Sequence, residues 1–165
     1  DIFRYCIIYQ KGGFYFDIKS ACIKPLSEIK SSNGAIISYE ASNLNFPPKI
    51  ESIKHSKYPF HIIKNWSFAF SPKHPFLKLV IDNIVDYAPY FKGKLFSNPK
   101  NAIISFTGPG MITKVFHDFI CSNENKIVPR GIDLDGYGIY ELKGAELRFK
   151  QSKSYNQYND CVILL

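Results

Sequence analysis

Two carboxylates and one guanidinium near the start of the chain, Asp1, Arg4 and Asp17, have the types and spacing best suited to chemistry. Asp1 and Arg4 are three residues apart, so a helix would place them on one face. There the carboxylate can accept from sugar hydroxyls and the guanidinium can donate to hydroxyls or to phosphate. An N-cap with an i,i+3 ion pair is the alternative reading. Asp17 follows the apolar run Phe14-Tyr15-Phe16, at the carboxyl end of an expected strand, where open α/β sheets bind their ligands. It could meet a sugar nucleotide or a metal there, or be a solvated turn residue. Strand alternation would put Lys19 on the same face as Asp17 and turn Ile18 toward the core. Gly12-Gly13 either ends a helix or lets a ligand approach the backbone closely.

Further along, Asn65 and Trp66 could recognise a sugar, because an indole beside an amide suits ring stacking and hydrogen bonding; a core tryptophan is the alternative. Thr107-Gly108-Pro109-Gly110 precedes a helix, whose first N–H groups could face a phosphate, or it is a plain entry turn. Of the four histidines, His55, His61, His74 and His117, none has a spacing that marks it as an acid–base group. His74, between prolines, reads as a turn residue.

The elements that must hold these residues alternate in type. Residues 1–11 carry Ile2, Tyr5, Cys6 and Tyr9 at helical spacing, with Gly12 as terminator. Residues 14–16 read as a strand, 20–26 as extended, 35–39 as a strand, 41–59 as a long surface loop and 66–70 as a strand. Pro72 to Pro75 form a turn before a helix over 76–87. A loop follows over 89–100, then a strand over 103–106. A second helix displays Met111, Val115, Phe116 and Phe119, and 127–128 and 137–142 read as strands, the latter as half of a hairpin. Strands interleaved with helices point to one α/β layered domain over 1–165.

The chain of 165 residues is 45% hydrophobic and 21% charged, which excludes a disordered polymer. No stretch reaches the roughly 20 apolar residues that span a bilayer. Its formal charge of +7 favours anionic partners, although the lysines are scattered and form no run. Cys6, Cys22, Cys121 and Cys161 lie far apart without a C-x-x-C pair, which disfavours zinc and suggests mostly buried free thiols. The opening residue is Asp1 and the last residues are apolar, so the chain is expected to be a fragment lacking an N-terminal part.

Taken in order, Asp1-Ile-Phe-Arg4-Tyr5, Ile8-Tyr9-Gln-Lys-Gly12-Gly13 and Tyr15-Phe-Asp17-Ile-Lys19 resemble the glycosyltransferases whose sugar-binding region contains a DXD motif, a group that includes yeast-type α-1,6-mannosyltransferases and capsule enzymes. The segments from Asn65 to Phe76 and from Thr107 to Gly110 resemble later family elements. The resemblance implies a GT-A-like α/β fold with a mixed central sheet flanked by helices. It also implies a nucleotide-diphosphate sugar donor, a glycan or lipid-linked acceptor, commonly Mn²⁺ or Mg²⁺, and transfer of a hexose with retention. Asp1, Arg4, Gly12, Gly13, Tyr15, Thr107 and Gly108 would then lie at the donor, Asp17 and Lys19 at the chemistry, and Asn65 and Trp66 at the acceptor.

The chain departs from the family at Lys19, which replaces the aspartate that normally binds the metal. A cation cannot ligate Mn²⁺ or Mg²⁺. Either Lys19 neutralises the leaving diphosphate itself, or a metal persists on Asp17 with ligands from elsewhere, or the protein is an inactive sugar- or nucleotide-binding relative. A basic nucleic-acid-binding domain is the reading from another class, but no reader motif supports it. The implied setting is peripheral to a membrane, on the cytoplasmic face in a bacterium or in the Golgi lumen in a eukaryote.

Overall fold

The computed structural model describes residues 1–18, 20–43, 60–122, 127–136, 139–141 and 163. Helix α1 (Ile2–Lys11) stops at Gly12, whose φ of 68° lies in the left-handed region that glycine enters without steric cost. A Cβ there would also press on Pro72 at 2.6 Å. The chain turns back as strand β1 (Gly13–Phe16). Ten helical residues rise about 15 Å and four extended residues about 13 Å, so the end of β1 returns to the start of α1. This match of lengths carries Asp17 to Asp1.

Strand β2 (Ser20–Cys22), a 3₁₀ turn (Leu26–Glu28), β3 (Ala35–Ile36), β4 (Ser38–Asn43), β5 (His61–Ile63) and β6 (Ser67–Phe70) follow. The helices α2 (Pro75–Phe91), α3 (Pro99–Phe106) and α4 (Pro109–Ser122) come next, then β7 (Arg130–Ile132), a short turn over Asp133–Gly136 and β8 (Ile139–Glu141). The described strands form three small sheets, ordered β1-β6-β3, β2-β8 and β5-β4-β7. Only β4–β7 is parallel; the other ladders are antiparallel. The expected mixed α/β character is present, divided among small sheets rather than gathered in one. The first and third sheets adjoin at Ile37, which separates β3 from β4 and whose carbonyl accepts from Arg130 N at 2.9 Å.

Strand β6 is buried along its whole length because both its faces are covered. Alternation sends Phe68 and Phe70 to one side, where they join Tyr5 and Ile8 of α1, Phe76, Leu77 and Val80 of α2, and Met111, Ile112 and Phe116 of α4 in the main core. Ala69 faces the other side, with Ile29, Ile36 and Leu134, against which Phe16, Leu26 and Trp66 pack. Burying each large apolar side chain of the main core contributes about 1.5–3 kcal/mol.

Several expectations are corrected here. Residues 103–106 are helical, the last turn of α3, not a strand. Asn98 accepts from Asn101 N at 3.0 Å and Pro99 occupies the first turn, two start signals that outweigh the β-branched Ile103-Ile104 pair. Helix α2 runs through Pro89 to Phe91, so the loop expected over 89–100 is short. Residues 41–43, expected to open a long loop, are the end of β4; 44–59 lie outside the described residues. Residues 127–128 are not strand; β7 begins at Arg130. Strand β8 pairs with β2, from far earlier in the chain, rather than as a local hairpin. Cys22 and Cys121 are exposed and Cys6 is half-buried, so the described thiols are not core residues; Cys161 lies outside the described residues.

Candidate functional site

Asp1 stands at the N-cap position of α1, yet its side chain makes no capping bond. It turns outward to three partners. Arg4 Nη2 lies at 3.2 Å, Asn65 Nδ2 donates to Oδ1 at 3.2 Å, and Thr107 Oγ1 donates to Oδ2 at 3.2 Å. One carboxylate thus joins the helix start to the chain before β6 and to the α3–α4 turn. The ion pair expected from the i,i+3 spacing is present; the cap is not.

Arg4 is the centre of the cluster. Its Nη1 donates to the Asn65 carbonyl at 2.7 Å and lies 3.2 Å from Asp17 Oδ1. Its guanidinium carbon sits 4.8 Å from the centre of the Tyr15 ring, a cation–π contact. The side chains of Arg4 and Asp17 are 15% and 28% exposed, so the group is screened less than a surface pair but still reaches solvent.

Asp17 does not lie in the strand. Its N–H donates to the Trp66 carbonyl at 2.9 Å, and its own carbonyl accepts from Ser20 N at 2.8 Å, closing a turn just past β1. Ile18, expected to face the core, is 83% exposed at the tip of that turn. A turn has no strand alternation, so sharing a face with Lys19 no longer follows; Lys19 lies outside the described residues. Tyr15 donates its hydroxyl to Asp17 Oδ1 at 2.8 Å. Burial first, and that donated bond second, raise the Tyr15 pKa above its ordinary value, so the phenol stays protonated and fixes the carboxylate.

The sequence-derived site residues therefore separate into groups. Asp1, Arg4, Tyr15, Asp17, Asn65 and Thr107 converge on one cluster. Gly12 and Gly13 occupy the opposite end of α1 and β1, about 13–15 Å away, where Gly13 pairs with Phe70. They shape the turn rather than the cluster. Gly108 is buried and its N–H already donates to Ile103 O at 3.0 Å. A Cβ on Gly108 would sit 2.9 Å from Ile104 Cα, so this glycine lets α3 and α4 approach closely. Asn65 and Trp66 part company: the asparagine joins Asp1 and Arg4, while the indole packs over the smaller core with Lys64 Nζ 4.2 Å from its ring centre.

Sequence reasoning left Tyr5 unassigned although it is wholly buried. Its hydroxyl donates to the Thr107 carbonyl at 3.0 Å and so locks the turn that presents Thr107 to Asp1. Burial, ahead of the opposing pull of Arg4, drives its pKa upward. Its place one helical turn after Asp1 was the available signal. His74 is the N-cap of α2, accepting from Phe76 N at 3.2 Å, which settles it as structural. His117 is buried on α4. His61 Nδ1 lies 2.9 Å from the Glu40 carbonyl, and His55 lies outside the described residues.

Among the described residues, no three His, Cys, Asp or Glu side chains gather where a metal ion could be held. Both carboxylates of the cluster are engaged by Arg4, whose positive charge lies between them and opposes a second cation. Among the described residues the cluster supplies two carboxylates, short of the six or more oxygen ligands that a divalent ion takes.

A carboxylate–guanidinium–carboxylate array at a helix start has the chemistry to grip a polyhydroxylated, phosphorylated ligand. Residues 1–36 match the family model described as the glycosyltransferase sugar-binding region containing DXD motif. Over that stretch the chain is similar to the glycosyltransferases of that type, as the order of its motifs implied. More particularly, it is similar to fungal mannosyltransferases. It is 27% identical over 127 residues to the initiation-specific alpha-1,6-mannosyltransferase of Schizosaccharomyces pombe, covering 73% of this chain and 31% of that protein. It is 34% identical over 84 residues to inositol phosphoceramide mannosyltransferase 1 of the same yeast, covering 51% and 21%. To the initiation-specific alpha-1,6-mannosyltransferase of Candida albicans it is 26% identical over 136 residues, covering 73% and 34%. The chain spans about a third or less of the length of these relatives.

Proposed function

We propose that the protein is a GT-A-type glycosyltransferase that moves a hexose from a nucleotide-diphosphate sugar to a hydroxyl of a glycan or lipid-linked acceptor, with retention of configuration. The observation that carries this reading is the convergence of Asp1, Arg4 and Asp17 at the joined ends of α1 and β1. Mannose is the sugar named in all three relatives, and one of those names specifies inositol phosphoceramide, a lipid. A net charge of +7 suits an enzyme working against an anionic membrane surface.

In this reading the carboxylates of Asp1 and Asp17 accept from donor-sugar hydroxyls, and Arg4 exchanges part of its grip on them for the donor's phosphate. Thr107 and Asn65 hold Asp1, and Tyr15 holds Asp17, so the array is set before the donor arrives. Such preorganisation makes electrostatic stabilisation effective. The charge of the departing diphosphate is met by Arg4 and, by its place in the sequence, Lys19. Asn65, bonded to Asp1 and Arg4, borders the donor.

The test is a donor screen that follows release of nucleotide diphosphate, with and without Mn²⁺. Turnover with a nucleotide-mannose donor supports the proposal. Tight donor binding without turnover would favour an inactive relative, in which Lys19 marks the lost chemistry.

A further inference from the structure

A second candidate site lies away from the cluster, in a cavity of about 720 Å³ between α2, α3 and α4. Its walls include Asp86, Tyr87, Tyr90, Phe91, Ser105 and Lys114. Tyr87 and Tyr90 are 39% and 67% exposed, with ring centres 6.0 Å apart and planes inclined by 54°. Two large aromatic rings held open to water by one helix are an unusual use of side chains that would otherwise be buried.

The polar groups around them are ordered. Lys114 Nζ donates to Asp118 at 2.8 Å and to Asn83 at 3.2 Å, and lies 5.6 Å from the Tyr87 ring centre. An ammonium has three donors, so among the described residues one is left for a ligand. Asp86 stands in the same wall as an acceptor.

We infer that this cavity is a glycan-binding subsite that holds sugar units of the acceptor distant from the reacting hydroxyl. A pyranose ring has an apolar C–H face, which stacks on tyrosine, and a rim of hydroxyls, which bond to Asp86, Lys114 and Ser105. A lipid chain would strip water from the exposed Asp86 carboxylate and from the Lys114–Asp118 pair and offer them no hydrogen bond in return, which is costly. A nucleic acid would meet the carboxylates of Asp86 and Asp118 at a wall with one lysine. Ser105, in the cavity wall, and Thr107, bonded to Asp1, flank the end of α3 from different sides. The two sites therefore lie on different sides of the end of α3, a helix about 10 Å across, so a ligand that reaches both is longer than a monosaccharide.

The choice of a glycan rests on the glycosyl-transfer reading, and the experiment separates the two. The full chain is titrated by calorimetry with an α-linked mannose tetrasaccharide, and separately with a nucleotide diphosphate. Tyr87→Ala and Tyr90→Ala, both at exposed rings, are expected to weaken tetrasaccharide binding about five- to tenfold each while leaving nucleotide binding and melting temperature unchanged. No tetrasaccharide binding by the unaltered protein, or binding by both variants as tight as that of the unaltered protein, overturns the subsite. Tyrosine-dependent binding in a protein that never turns over a nucleotide sugar upholds the subsite and sinks only the transferase reading.

Discussion

Arg4 bridges Asp1 and Asp17, with one guanidinium nitrogen 3.2 Å from each carboxylate. The helix start and the strand end are thereby tied through a single side chain, whose planar fork can span two acceptors at once. Everything proposed about the donor depends on this bridge.

Replacing Arg4 by lysine keeps the charge and removes the span. One ammonium cannot hold Asp1, Asp17 and the Asn65 carbonyl together, so the two carboxylates face each other with weaker compensation. Unfolding in urea should show a loss of about 1–3 kcal/mol, below the value for a fully buried pair because the cluster reaches solvent. Donor binding should weaken in the same variant. An unchanged urea midpoint would mean that the bridge is not holding the α1–β1 junction.

Gly108→Ala tests why that glycine is there. Its Cβ would meet Ile104 Cα at 2.9 Å, and this is backbone, which cannot swing aside. A loss of about 1–3 kcal/mol is expected from forcing α3 and α4 apart, seen as a lower melting temperature. Gly110→Ala should behave similarly, since its Cβ would lie 2.9 Å from the Ile104 carbonyl oxygen. If alanine is accepted at both positions without loss of stability, the close crossing of α3 and α4 is not what requires glycine.

His117 gives the fold a dependence on pH. Burial lowers its pKa from the ordinary 6.5, more than neighbouring Asp118 raises it, and neither ring nitrogen has a hydrogen-bond partner among the described residues. The unfolded chain therefore binds a proton at a pH where the folded protein still does not. Stability is full above pH 6.5 and falls as the pH drops below it, toward the depressed folded value. His74, also held low by burial, acts in the same direction. Urea midpoints measured on either side of pH 6.5 should differ, and His117→Leu should reduce the difference. An equal slope in that variant would assign the effect elsewhere.

The chemistry at Lys19 leads to a test with chelator. If Arg4 and Lys19 meet the diphosphate charge, turnover should persist in excess chelator, and Lys19→Asp should make it respond to Mn²⁺. Complete loss of turnover on chelation, restored by Mn²⁺, would place a metal in the reaction.

The opening block was readable because helix period, glycine terminator and apolar strand agreed with one another, so local pattern and tertiary structure coincide in α1 and β1. The meeting of Asp1, Arg4 and Asp17 followed from it. The part played by Thr107 was harder to see, because it depends on α3, and α3 was read as a strand from Ile103 to Phe106. The Asn98-Pro99 start had been absorbed into a presumed loop, and without that helix nothing brings Thr107 to Asp1. Ile18 misled for a different reason: alternation was extended two residues beyond the end of β1 at Phe16, into a turn where it has no force. The split of Asn65 from Trp66 was legible only in part, since adjacent residues entering a strand point to opposite sides, but which side faced the cluster depended on the packing of α1.

The most direct measurement follows nucleotide diphosphate release from a nucleotide-mannose donor by the intact protein and by Asp17→Asn, which keeps the size of the side chain and removes its charge. The account predicts a fall in turnover of about 10²–10³-fold with the melting temperature little changed. Equal turnover in the two proteins would remove Asp17 from the site and, with it, the cluster on which the transferase reading rests.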